Sequence, residues 1–280
     1  MSDQYTRGYL VGTDIRTTFI KPRNDKQWTP VQYAVVEVED FEHVKDAGQQ
    51  PGKKKLAVCE GCIILGTHAE MEAVADHLRS HSNQLKASEA QGSAIKGDRY
   101  RWPEGKIPYE IHPALPDQQR VLDAIAHWHE KTKIRLVPHS DERDFVVFVP
   151  GPGCASAVGR QGGRQEIVLG SSCTKGNAIH EIGHTVGLWH EQSRIDRDSW
   201  IEILWQNIDP LYRHNFEQHI DDGIDVATYD YGSVMHYPAT AFSRNGKPTI
   251  SKRQDGPEIG QREGLSDGDI KAVEEIYPDI

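Results

Sequence analysis

The 280-residue sequence predicts an α+β domain that is divided by a cleft and preceded by a smaller N-terminal unit. From about residue 93, strand-like and helix-like patterns follow one another closely up to a helix that begins near Asn177. Beyond that helix, most of the chain shows no regular pattern until a last helix near the C-terminus. We therefore expect an N-terminal half of sheet and helices, an irregular C-terminal half, and a functional site in the cleft between them.

Length and charge limit the classes to which the protein can belong. The chain is long enough to bury a full core. Its net charge of -10, with basic residues scattered along the sequence, argues against a nucleic-acid-binding surface. No membrane span is expected, because the sequence contains no run of about 18 apolar residues. Met1–Leu10 lacks the basic start and apolar block of a signal peptide, so an exported protein would have lost its signal or would use another route.

The first third of the chain contains strand and helix signals of its own. Val31–Val38 partly alternates and is rich in β-branched residues, which predicts a strand. Glycine and proline precede three lysines in Ala47–Lys55, which predicts a solvated loop. Leu56–Leu65 is a second apolar stretch, and Thr67–His81 has apolar residues at helical spacing. Ser80–Gly92 is polar and built of small residues, which is typical of an exposed, protease-accessible linker.

These patterns divide the chain into residues 1–92, called the leader below, and residues 93–280, called the main domain. Unbroken apolar runs in the main domain indicate buried strands, and apolar residues spaced by three and four indicate helices. The expected elements are, in order, a strand at Ile107–Ile111, a helix at Pro116–Thr132, a buried strand at Phe145–Val149, a half-exposed edge strand at Glu166–Leu169, a helix from about Asn177, a helix around Pro210–His219, and a last helix from Ser266 to before Pro278.

The central helix carries a metal-binding pattern. His180 and His184 are four residues apart, so they project from one helical face and can bind the same ion. Gly187 lets the backbone leave the helix in a conformation that other residues resist, and His190 follows three residues later. Three neutral imidazoles can hold zinc and leave a position open for water, from which Glu181 can accept a proton. The spacing, H-E-x-x-H-x-x-G-x-x-H, is that of the metzincin motif and rarely arises by chance.

A second motif, S-V-M-H-Y, lies far downstream at Ser233–Tyr237. It has the form of the methionine turn that lies beneath zinc in metzincins. Together the two motifs resemble the astacin family of zinc endopeptidases, whose signature adds a glutamate, here Glu191, after the third histidine. The resemblance extends from about Ser93 to the C-terminus. Further matching stretches are Trp102–Pro103, Ile107–Tyr109, Val158–Arg160, Ile201–Ile208 and Ile259–Arg262.

The resemblance implies a metzincin fold, one zinc ion per chain and hydrolysis of proteins or peptides. Glu181 would act as general base and then general acid. Met235 would pack beneath the metal ligands without binding zinc. Tyr237 would be a switchable fifth ligand that donates a hydrogen bond to the oxyanion, with a buried aromatic of no catalytic role as its alternative interpretation. The zinc ligands would be His180, His184 and His190.

The resemblance also implies secretion and activation by cleavage. Ser93–Asp98 resembles the mature start of the family, so an activating protease or self-cleavage would cut near Gly92–Ser93. Glu191 would then pair with the new N-terminal amine; an ordinary solvated carboxylate is the alternative. Cys154 and Cys173 would form the family's disulfide, which would contribute about 3 kcal/mol, with two buried thiols as the alternative in a cytosolic protein. The family's second disulfide has no cysteines in this chain.

The other two cysteines, Cys59 and Cys62, lie in the leader. Family leaders often carry a Gly-Asp whose carboxylate fills the open zinc position. Because Gly61 precedes Cys62 here, we expect a thiolate to replace that carboxylate and keep the precursor inactive, with Cys62 preferred over Cys59. A redox-active pair, a local disulfide and half of a structural zinc site are alternatives, although neither a β-α-β context nor a second C-x-x-C supports them.

Two further alternatives concern specificity and function. Arg262 lies where family members place a cation that favours acidic residues just after the cleaved bond. Arg244 is a second candidate, and an exposed arginine without a role is the default for both. The rival to a peptidase is a noncatalytic zinc-binding or adhesion module on the same scaffold, against which the presence of Glu181 and Tyr237 argues.

Overall fold

The computed structural model describes residues 8–20, 29–44, 49–80, 94–218 and 223–280. Within these ranges the strands form one nine-stranded sheet and two small two-stranded sheets, and helices pack against the large sheet. The predicted α+β class is therefore confirmed. The cleavage site expected near Gly92–Ser93 lies outside the described residues.

The leader contributes four strands and one helix. They are β1 (Asp14–Ile20), β2 (Thr29–Asp40), β3 (Gly52–Cys59), β4 (Ile63–Thr67) and α1 (His68–Ser80). The four strands pair in chain order as an antiparallel meander. The loop predicted at Ala47–Lys55 is wrong in its second half, because β3 begins at Gly52. Lys53 and Lys55 lie opposite Glu39 and Glu37 on β2, and such cross-strand pairs of opposite charge stabilise a strand.

The first half of the main domain supplies the rest of the large sheet. Its elements are β5 (Ala94–Ile95), β6 (Lys106–Ile111), α2 (Gln119–Lys131), β7 (Arg135–Pro138), β8 (Phe145–Val149), β9 (Cys154–Ser156), β10 (Arg164–Leu169) and α3 (Lys175–Val186). The strand order is β1-β2-β3-β4-β9-β10-β8-β6-β7. The prediction of an edge strand at Glu166–Leu169 is wrong: β10 is internal, because it pairs with β8 on one side and with β9 on the other. Ile167 and Leu169 are accordingly buried.

The second half is mostly irregular, as predicted. Its regular elements are β11 (Ile201–Ile203), β12 (Gly223–Ile224), β13 (Ile250–Lys252) and α4 (Asp267–Ile276), with β11 paired to β13 and β12 paired to β5. The helix predicted around Pro210–His219 is a 3₁₀ helix, Pro210–Phe216, whose first turn is capped by the Asp209 side chain. Among the described residues, no helix has the length and apolar character needed to cross a membrane.

The leader joins the main domain along β9. The N–H groups of Cys154 and Ser156 donate to the carbonyl oxygens of Gly8 and Cys62, at 2.8 and 2.9 Å. The two leader segments also contact each other, since the N–H of Leu10 donates to the carbonyl of Gly61 at 2.6 Å. Two adjacent leader segments, one near residue 9 and one at the β3–β4 turn, therefore lie beside β9.

Cys154 and Cys173 form the expected disulfide, with their Cα atoms 6.1 Å apart. It links β9 to Cys173, which lies two residues before the start of α3. We expect replacement of both cysteines by serine to lower the free energy of unfolding by about 3 kcal/mol, because the bridge restricts the unfolded chain. Denaturant titration with and without a reductant measures this, and reductant should destabilise the wild type but leave the double variant unchanged.

Candidate metal centre

The helix α3 starts and ends at sequence-specified positions. The Thr174 hydroxyl accepts from the N–H of Asn177, and the Asn177 side chain accepts from the N–H of Thr174 at 3.0 Å, which forms a capping box. The helix stops at Val186 because Gly187 adopts φ 124°, in the left-handed region that favours glycine. This exit turns the chain back, so that His190 approaches the helical face that carries His180.

Four side chains converge at the floor of the cleft. The Sγ atom of Cys62 lies 3.7, 3.4 and 3.1 Å from the Nε2 atoms of His180, His184 and His190. The four potential ligand atoms lie within 4.8 Å of one another, and all four residues are buried. The structure thus brings Cys62, and not Cys59, together with the three motif histidines, His180, His184 and His190.

The hydrogen bonds of the histidines direct their Nε2 atoms toward this point. Nδ1 of His180 donates to the carbonyl of Val234 at 2.7 Å, and Nδ1 of His184 donates to the carbonyl of Leu188 at 2.8 Å. Burial lowers the pKa of His180 and of His184 well below the ordinary value, so both imidazoles are neutral. A neutral ring protonated at Nδ1 offers its Nε2 lone pair, which is the form that binds a metal.

The thiol and the carboxyl group at this point are also suited to a bound cation. Burial, with the Glu181 carboxylate nearby, raises the pKa of the Cys62 thiol. A bound zinc would reverse that shift, because a coordinating thiol is deprotonated by the metal. Glu181 is only 1% exposed, and its Oε2 atom has no hydrogen-bond partner among the described residues. Three imidazoles, one thiol and an unpartnered buried carboxylate oxygen therefore fit a zinc site with a proton acceptor beside it.

The methionine turn lies beneath the histidines. Met235 is 2% exposed, its Sδ atom lies against Gly183 of α3, and its carbonyl accepts from the N–H of Glu191 at 3.2 Å. The Tyr237 ring centroid lies 4.7 Å from that of His190. The Tyr237 hydroxyl donates to the carbonyl oxygen of Glu60 at 2.5 Å, so the leader engages the predicted fifth ligand.

Asp269 binds the methionine turn, a contact that the sequence analysis did not predict. Its carboxylate accepts from the Ser233 hydroxyl at 2.6 Å and from the N–H of Val234 at 2.9 Å. The carbonyl of Val234 in turn holds His180, so the first turn of α4 supports the metal centre through the methionine turn. The S-x-x-D pattern from Ser266 to Asp269 indicates only that a helix begins there, and it gives no sign of this second role.

Glu191 is buried, at 9% exposure, so its alternative interpretation as a solvated carboxylate is wrong. Its carboxylate accepts from the N–H of Asp230 at 2.8 Å and lies 3.7 Å from Nη1 of Arg194. Burial raises the pKa of Glu191 to about 8, and the Arg194 charge opposes that rise. The pairing of Glu191 with the N-terminal amine remains a prediction.

A cavity of about 150 Å³ adjoins the metal centre. Cys62 and Glu181 form one side of it, Arg262 lies on another, and Tyr9 of the leader lines it as well. Nη1 of Arg262 donates to the carbonyl of His236 at 3.0 Å, which holds the guanidinium at the cavity. Arg244 is not among the residues that line it. Tyr9 belongs to no recognisable sequence motif, so its place at the cavity could not be predicted. Its ring packs against the rings of Tyr237 and Phe242.

Comparison with known proteins supports the interpretation of this centre. The family model described as Astacin, a peptidase family, matches residues 94–278. "Zinc metalloproteinase nas-13" of Caenorhabditis elegans is 42% identical over 193 residues, which are 67% of this chain and 43% of that protein. "Meprin A subunit beta" of Homo sapiens is 39% identical over 193 residues, which are 66% of this chain and 27% of that protein. The chain thus spans less than half the length of these curated relatives.

A solved structure extends the similarity to three dimensions. High choriolytic enzyme 1, a hatching enzyme zinc-protease from Oryzias latipes, superimposes with a TM-score of 0.61 at 35% identity. The superposition covers 66% of this chain and 98% of that structure. The similar region is about two thirds of the chain, as expected if it consists of the main domain.

Proposed function

Since the chain belongs to the astacin family of peptidases, we propose that it is the latent precursor of a zinc-dependent endopeptidase. The observation that carries this proposal is the convergence of Cys62 with the three motif histidines around one point. The histidines are the zinc ligands of the active enzyme, and Cys62 is the additional ligand of the precursor. The substrates are proteins or peptides.

The catalytic roles follow from the environment of each side chain. When bound, zinc supplies Lewis-acid chemistry: it polarises a peptide carbonyl and lowers the pKa of water. Glu181 accepts a proton from the attacking water and then gives it to the leaving amine. Burial raises the pKa of Glu181 while the Arg262 charge opposes the rise, which favours a carboxyl group that can hold the transferred proton. Once the leader has left, the Tyr237 hydroxyl can donate to the oxyanion.

Latency has a structural basis in the leader. The β3–β4 turn holds Cys62 at the metal centre. The carbonyl of Glu60 in the same turn accepts a hydrogen bond from the Tyr237 hydroxyl. The segment near Tyr9 fills the adjoining part of the cleft, where its ring packs on Tyr237 and Phe242 with centroids 5.4 and 4.6 Å away. Substrate cannot reach Glu181 while both segments are in place.

Activation consists of a cut near Gly92–Ser93, by another protease or by the enzyme itself. Ala94 pairs with Leu188 at the end of the metal-binding helix, and Leu188 and Glu191 line one small cavity. A new N-terminal amine next to Ala94 would start the chain beside Leu188, and we expect it to pair with the buried Glu191 carboxylate. The Cys154–Cys173 disulfide supports a secreted protein, since disulfides persist in oxidising compartments.

The function is tested with the processed chain, whose new N-terminus is identified by sequencing. We expect it to cleave casein, and we expect a zinc chelator to abolish cleavage until zinc is restored. Cleavage that survives the chelator would reject the metal mechanism. A chain that binds zinc but cleaves no protein under any condition would instead favour the noncatalytic module.

Arg262 provides a test of specificity. We expect Arg262→Ala to lower kcat/KM about tenfold, or ~1.4 kcal/mol, for peptides with Asp or Glu directly after the cleaved bond, because the guanidinium at the cavity attracts a carboxylate. Peptides with a neutral residue there should be affected much less. Arg244→Ala is the matched control, and an unchanged peptide profile in Arg262→Ala would dispose of the assignment.

A further inference from the structure

The β3–β4 turn brings a second polar side chain to the metal centre besides Cys62. Glu60 is 3% exposed, and its Oε2 atom accepts a hydrogen bond from Nδ1 of His190. Its Oε1 atom accepts from the Ser193 hydroxyl at 2.6 Å. Both carboxylate oxygens of this leader residue are thus bound to the main domain directly behind a zinc ligand.

His190 differs in this respect from the other two histidines. Nδ1 of His180 and of His184 bonds backbone carbonyls that belong to the main domain and stay with it. Nδ1 of His190 bonds a carboxylate that leaves with the leader. A carboxylate on the second nitrogen fixes the tautomer and orientation of a metal-binding imidazole and makes its Nε2 a stronger donor.

We propose that Glu60 is a positioning residue for zinc, through which the leader makes the precursor hold the metal more tightly than the processed enzyme does. This inference rests on the proposed function, because it requires zinc at the motif histidines. Charge supports it: zinc brings two positive charges into a buried site, where the Glu60 carboxylate behind His190 is a negative partner in addition to the Cys62 thiol and the Glu181 carboxyl group.

The conformation of the turn supports the same role. Glu60 has φ 47°, in the left-handed region that residues with a side chain seldom adopt, and Gly61 follows with φ 68°. Such a conformation persists where surrounding contacts determine it. Here the bonds from His190, Ser193 and Tyr237 to Glu60 hold it, and together they aim the carboxylate at His190. A glycine would adopt this backbone more easily but would lack the carboxylate.

The test compares zinc affinity in the intact chain, measured by competition with a chromogenic chelator. We expect Glu60→Gln to bind zinc about 10- to 100-fold more weakly than the wild type, the range found when outer partners of metal ligands are changed. Asp40→Asn is the matched control: it makes the same change in the leader, at a carboxylate bound to Lys54 at 3.1 Å, and should leave zinc affinity within about twofold. Ser193→Ala, which removes the other partner of Glu60, should weaken binding by a smaller factor.

Cobalt substitution distinguishes two roles for Glu60: positioning of the His190 ligand, and attachment of the β3–β4 turn to the main domain. The thiolate-to-cobalt charge-transfer band reports whether Cys62 still reaches the metal, and we expect Glu60→Gln to retain that band while its affinity falls. Equal zinc affinity in Glu60→Gln and wild type would overturn the inference and leave the proposed function intact. Loss of the band together with the affinity would also overturn it, because Glu60 would then act only by docking the turn. A wild-type chain that binds no zinc would overturn both proposals.

Discussion

Replacement of Glu181 by glutamine is expected to lower kcat/KM of the processed enzyme by about 10²- to 10⁴-fold, the typical contribution of a general base. Glutamine has the same shape but cannot accept the proton from water or pass it to the leaving amine. Zinc content should stay at one per chain, because Glu181 is not among the side chains that converge as ligands.

The measurement pairs peptide hydrolysis with the metal content of the same sample. Circular dichroism confirms that the variant is folded, which we expect because the substitution conserves volume in a buried site. Activity within tenfold of the wild type, at equal zinc content, would assign the proton transfer to another group. Loss of zinc in Glu181→Gln would indicate that the carboxylate supports the metal rather than the reaction.

Replacement of Cys62 by alanine is expected to raise the peptidase activity of the uncut chain at least about tenfold, which corresponds to ~1.4 kcal/mol of lost inhibition. Among the described residues of the leader, the thiol supplies the potential ligand atom that converges with the Nε2 atoms of the motif histidines, so its removal opens the position that water must occupy. The rise should stay below the full activity of the processed enzyme, because Glu60 still bonds His190 and Tyr237.

Cys59→Ala is the matched control for this experiment. Cys59 is equally buried and lies at the end of β3, but it is outside the metal-binding group. Mass spectrometry must show that each chain remains uncut during the assay. Equal latency of the two single variants would contradict the assignment of Cys62 as the zinc ligand of the precursor.

Sequence reasoning succeeded where the information is local. The spacing of His180 and His184 follows from helix geometry, and Gly187 shows where the helix must end, so the convergence of the three motif histidines could be predicted without a structure. The cysteine opposite them was placed by the resemblance of the leader to family leaders. In both cases a short stretch of sequence was enough to make the prediction.

It failed where the contact partners are distant in sequence. The strand β10 looks like an edge strand in isolation, and only the positions of β8 and β9 place it inside the sheet. Glu60 and His190 are 130 residues apart, and Asp269 lies 36 residues from Ser233. No local spacing encodes such bonds, because the tertiary fold decides which buried polar groups meet.

The attachment of the leader along β9 has a consequence for storage of the protein at high concentration. While the leader is present, the N–H groups of Cys154 and Ser156 are bonded within the same chain. Removal of the leader turns β9 into a bare sheet edge, and such an edge is a template for any extended chain, including another copy of the enzyme. The uncut form should therefore self-associate less than the processed form. We expect light scattering to detect self-association only after the leader has been removed.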